Sequence, residues 1–202
     1  MFESLRNLFQ RQLVPVSGPL ETYRPSSQPY PWFAEINDDQ LEQGDIFEDC
    51  PTYLPPDSST IGSETGVVRW AERDLILLSQ SCDLVKGREK ISQACLCEVW
   101  RRSEFRPPHF LAEVGNLEMI RKGQIPRYHL LAPSQVSGLE RELRIVDLQQ
   151  VYSLPIDFLR ARALTGRRLR LLPPYREHLS QAFARVFMRV GLPIDIPPLK
   201  KK

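Results

Sequence analysis

Apolar positions in this chain follow two spacings. From Gly44 to Pro155 they come in short runs of strand length, broken by glycine, proline and acidic residues. The runs "QGDIFEDCP", "GVVRW", "DLILLSQ", "ISQACLCEVW", "RYHLLAP" and "ELRIVDLQQVYSLP" predict strands. Leu75 to Leu78 is continuously apolar, which fits a strand covered on both faces. Residues 111–122 read as a helix stopped by Gly123 and Pro126. Near the end the spacing changes to three and four: Leu179, Ala182, Phe183, Val186, Phe187 and Val190 form one stripe. Pro173-Pro174 opens that helix, and Gly191 with Pro193 closes it. At the other end Phe2, Leu5, Phe9 and Leu13 mark a short amphipathic segment. A proline-rich connector over residues 14–31 follows it.

This order predicts a mainly β fold with helices: a small barrel over residues 36–202, covered by its C-terminal amphipathic helix. Residues 1–35 form an arm and linker. A segment as short as 1–13 needs a surface to lie on, so Phe2, Leu5 and Phe9 are candidate contacts to a protein partner or a second copy.

Composition narrows the classes. The chain has 202 residues, 42% of them apolar and 26% charged, as in a folded globular domain. No apolar run approaches the ~18 residues of a membrane span, and Met1–Val14 lacks a secretory pattern, so a cytoplasmic, membrane-free protein is expected. Cys50, Cys82, Cys95 and Cys97 include no C-x-x-C pair, and His109, His129 and His178 are scattered. Neither a metal nor a cofactor is expected. Charge is segregated. Pro25–Val68 carries nine acids and no lysine or arginine, whereas Arg160–Arg189 sets eight arginines against Glu177 alone. This pattern means two surfaces of opposite sign, or one that screens the other. Arg160, Arg162, Arg167, Arg168 and Arg170 are therefore candidate binding residues for an acidic protein face or RNA.

Two stretches together resemble the PemK/MazF family of toxin-type ribonucleases. The first runs from "QGDIF" through a long loop to "ERDLILLS". The second is "RIVDLQQVYSLP…RRLRLLPPYREHLSQAFARVFMRVGLP". The match covers about half the chain, and the middle, about residues 84–140, is longer than the family pattern. The resemblance implies an SH3-like barrel and a toxin–antitoxin or phage-defence setting. It also implies an arginine that stabilises the scissile phosphate and a threonine that assists proton transfer. Arg73 falls on the arginine position, followed by Asp74 where the family has proline. Near Trp100–Ser103 there is no threonine, and Ser103 is the nearest hydroxyl. The loop after the first strand, Pro51–Gly66, carries Asp57 and Glu64 and no basic residue, which repels a polyanion.

The expected function is therefore a MazF-like, non-catalytic subunit that binds an antitoxin-like or regulatory protein partner. The alternative is an active endoribonuclease using Arg73 with Asp83 or Ser103. A third reading centres on "SQSCDL", where Cys82 follows the buried strand. A nucleophilic thiol there needs a nearby base or cation, and Asp83 opposes its ionisation. The bland reading places Cys82 in the core, with Ser81 and Asp83 capping a turn. Tyr53, Trp70, Trp100 and Tyr128 are either stacking platforms or core aromatics.

Overall fold

The computed structural model describes residues 30–54 and 69–188. The expectations for Phe2, Leu5 and Phe9, for most of the connector and the acidic loop, and for Val190, Gly191 and Pro193 lie outside the described residues. Seven strands pair antiparallel there: β1 (Phe33–Ile36), β2 (Ile46–Leu54), β3 (Arg69–Leu77), β4 (Gln93–Arg101), β5 (Tyr128–Leu131), β6 (Arg144–Pro155) and β7 (Arg168–Leu171). Three α-helices accompany them: α1 (Val114–Arg121), α2 (Ile156–Ala163) and α3 (Tyr175–Phe187). The five-stranded sheet has the order β2-β3-β4-β6-β5, and β1 pairs with β7 in a second, two-stranded sheet. The architecture is mixed α/β. Among the described residues the larger sheet ends on β2 and β5 and does not close on itself.

Strand alternation explains the layers. Ile46, Ile76, Leu78, Cys97, Val99, Val146 and Leu148 face one way and meet Phe33, Leu169 and Leu171 of the small sheet and Leu179 of α3. Phe47, Leu75, Leu77, Ala94 and Leu96 face the other way, under Ile156, Leu159 and Ala163 of α2. A third cluster on the sheet joins Ile145, Trp100 and Leu130 to Leu117 and Ile120 of α1. Leu75, Ile76 and Leu77 have no exposed surface, as a strand sandwiched by two layers requires.

Register shifts at Phe47/Cys50 and Cys97/Glu98 bend the sheet. The curl brings Glu48 of the outer strand β2 to Arg144 of β6 at 3.2 Å. The small sheet is attached where the curl begins: Leu171 N–H donates to Gly44 O at 2.9 Å. Gly44 has a φ of +94°, and an added Cβ would sit 2.9 Å from Leu171 O. Only glycine allows that approach.

Four elements differ from the sequence expectation. "RW" and "DLIL" belong to one continuous strand, β3, rather than two. Strand β1 extends the body ahead of Ile36, because Phe33–Ile36 pairs with Leu171–Arg168. Helix α2 and strand β7 were unforeseen. The stripe on α3 is also narrower in effect: Leu179 is fully buried, Ala182, Phe183 and Val186 are partly buried, and Phe187 is 58% exposed.

Candidate functional site

The segregated charges meet inside the molecule. Asp45 has no exposed surface. Its carboxylate accepts from Arg170 Nε at 2.5 Å and Nη2 at 3.0 Å, and lies 3.2 Å from Arg168 Nη2. Arg168 also donates to Asp38 O and Gln40 O, both at 2.6 Å. Arg170 and Arg176 both reach Glu42, at 2.7 and 3.1 Å. Arg167 pairs with Glu35 at 3.2 Å, Arg160 pairs with Glu89, and Arg162 donates to Glu48 O and Asp49 O. Burial works against the charge of Arg170, but the Asp45 hydrogen bond and charge outweigh it and raise its pKa. Arg168 and Arg170, 5% and 7% exposed, are structural cations and not an open binding surface.

A second closed set lies on the α2-covered face of the sheet. The Arg73 guanidinium pairs with Glu98, which is buried and also accepts from Tyr152 Oη at 3.1 Å. Burial works to lower the pKa of Arg73, yet Glu98 outweighs it and raises it. Burial first, and Glu98 next, push Tyr152 up to about 12. Asp147 stands opposite Glu98 in register and is gripped by Arg127 at 2.6 Å. Polar groups thus form a row between the patches under α1 and α2. Sequence reasoning found Arg73 but missed Glu98 and Tyr152. The signal was available: Glu98 interrupts the apolar run "ACLCEVW".

The other catalytic candidates do not join Arg73. Ser103 donates to Glu142 in the turn after β4, and Asp83 pairs with Lys90 at 3.1 Å in the turn after β3. Among the described residues no hydrogen bond or ion pair connects Arg73, Asp83 and Ser103. Asp74, where the resemblance expects proline, accepts from Asp49 N–H at 3.0 Å and so holds the bulge of β2.

An open groove of about 390 Å³ lies beyond the end of β3, where "QGD" and "SQSCDL" converge. Gln43 N–H donates to Ser81 Oγ at 3.1 Å, and Gln43 Nε2 donates to Leu78 O at 2.6 Å. Gln80, Ser81 and Cys82 form one wall; Arg176, Ser180 and Gln181 of α3 form the other. Cys82 is exposed, which corrects the core reading; Cys50 and Cys97 are buried and Cys95 is half-buried. Burial pushes Cys50 up to about 11. The only polar contact of the Cys82 thiol among the described residues is Asp83 Oδ1 at 3.6 Å, and no histidine base is bonded to that thiol.

Among the aromatics, Trp100 and Tyr128 are partly buried and pack against the α1 cluster. Tyr53 and Trp70 instead stack at 4.6 Å across β2 and β3, and both are mostly exposed. His129 is half-buried; burial, then the charge of His178, hold its pKa down to about 4. No cluster of metal-ligating side chains occurs among the described residues, and no described helix is long and apolar enough to cross a membrane. No protein-family model matches the chain, and no curated protein matches it.

Proposed function

We propose that the chain is a MazF-like barrel protein that acts as a non-catalytic, partner-binding subunit of a prokaryotic toxin–antitoxin or phage-defence module. One observation carries the reading: the Arg73 guanidinium is committed to the buried Glu98 carboxylate, with Ser103 and Asp83 tied up on other elements. RNA cleavage by its own 2′-hydroxyl needs a base, an acid and a free cation together. The curl that brings Glu48 to Arg144 supports a barrel-like course for the sheet. Among the described residues most of the segregated arginines are paired internally, which reduces the continuous basic surface available to RNA and favours a protein partner.

A second reading, an endoribonuclease, draws on Arg73, whose side chain keeps 31% of its surface exposed beside the Tyr152 hydroxyl. It would run through Arg73, Glu98 and Tyr152, not Asp83 or Ser103. The test is incubation of the full chain with long single-stranded RNA. Intact RNA at high protein concentration is expected.

A further inference from the structure

A second cleft, about 230 Å³, opens between the end of α2, β7 and the start of β2. Arg162, Thr165 and Arg167 form its rim, and Leu139 and Leu169 belong to its lining. Arg168, buried behind it, has an Nε with no partner among the described residues. The rim arginines are only partly used. Arg167 Nη2 donates to Ser137 O at 2.7 Å and its Nε pairs with Glu35, and Nη1 has no bonded partner among the described residues. Arg162 Nη2 holds two main-chain carbonyls, while Nη1 makes only a long 3.4 Å contact to Thr165 Oγ1.

The carboxylates nearby do not cancel this charge. Glu48 lies in the cleft wall, but Arg141 grips it at 2.6 and 2.7 Å and Arg144 adds a third contact at 3.2 Å. Two guanidinium groups thus share one carboxylate. The last carbonyls of α2 are covered as well: Arg162 O accepts from both Thr165 N and Thr165 Oγ1. What remains is a small cleft rimmed by guanidinium donors.

We propose that this cleft receives a carboxylate side chain of a protein partner. The proposal rests on the partner-binding reading above. The volume suits one side chain, with its oxygens between Arg162 and Arg167. A nucleic-acid backbone fits less well. It would continue past Glu35, the exposed Asp38 and the exposed Glu140, and the one aromatic ring in the lining, Phe47, is buried and offers no base a stacking face.

The test measures binding of the full chain to an acetylated hexaglutamate peptide, with hexaglutamine, inorganic phosphate and single-stranded RNA as separate probes. Hexaglutamate is expected to bind in preference to hexaglutamine, and its binding to weaken with added salt. Arg167→Ala should weaken it about tenfold, by loss of a charge-assisted contact, and Arg167→Glu further. Because Arg162 and Arg167 also touch main-chain carbonyls, unfolding midpoints accompany each variant; Arg162→Ala serves as a second probe. Equal affinity in wild type and in folded Arg167→Ala and Arg162→Ala overturns the site. So does no binding of hexaglutamate, or binding of phosphate alone. RNA bound more tightly than hexaglutamate, and lost in the same variants, overturns the protein source. RNA recovered uncut in these outcomes leaves the non-catalytic reading standing, so the two failures are distinguishable.

Discussion

Gln43 and Asp45 are two residues apart and serve two opposite regions. Asp45 turns inward with no exposed surface, and the buried Arg168 and Arg170 close on it. Gln43 braces a groove whose walls of carboxamide, hydroxyl and thiol stay open to solvent. The closed set holds the small sheet to the large one, and the open groove asks little of the fold. Arg73 and Glu98 belong with the first kind. The difference teaches that a charge's place in sequence does not reveal its use: the groups singled out for chemistry are mostly spent on partners elsewhere in the chain.

The closed set should be the most sensitive to change. Asp45→Ala removes the one fully buried carboxylate that Arg168 and Arg170 share, leaving them the more exposed Asp38 and Glu42, and is expected to cost about 3–5 kcal/mol in urea unfolding. A cost under about 1 kcal/mol would show that the clamp does not hold the sheets. Next comes the packing of α3. Leu179→Ala should cost about 2–4 kcal/mol, while the partly buried Phe183→Ala should cost only about 1–2 kcal/mol. A reversed order would mean that the helix packs through its outer stripe.

His129 gives a smaller, pH-dependent effect. Its folded pKa, about 4, lies below the ordinary value of 6.5, so the unfolded chain binds the proton more tightly between those values. Stability from this group is full above pH 6.5 and falls as pH drops from 6.5 to 4, by about 1–3 kcal/mol in all. His129→Gln should flatten that part of the stability profile; an unchanged slope would assign it elsewhere. At the seam, Glu98→Gln should lower the pKa of Tyr152 from about 12, read as phenolate absorbance on titration. An unmoved titration would mean that burial alone sets it. In the open groove, Cys82→Ser should change stability by less than about 0.5 kcal/mol and remove the fastest-reacting thiol. Slow labelling of Cys82 would show that the groove is shut.

Period-two patterning located β2, β4, β5 and β6, and the three-four stripe located α3, because each buries residues within its own segment. Strand β7 was not legible for a different reason. Its sequence, "RLRL", reads as an exposed alternation, yet all four residues are buried. The burial of Arg170 depends on Asp45, 125 positions away, and a local pattern carries no trace of that partner. Helix α2 was hidden by its two arginines and by the strand pattern ending at Pro155, its N-cap. Of the site, Arg73 was legible, but its neutralisation was not: Glu98 reaches it from β4, held in turn by the Tyr152 hydroxyl of β6. The groove was half legible, since "SQSCDL" was visible and its meeting with Gln43 and α3 was not.

The central claim is that Arg73 is spent on Glu98 and the chain binds without cutting. Its most direct test is end-mapping of long single-stranded RNA after incubation with wild type and Arg73→Ala at high protein concentration. The account predicts the same uncut RNA in both. Cleavage at defined positions by wild type, reduced about a hundredfold or more in Arg73→Ala, would contradict it and make Arg73 a transition-state cation.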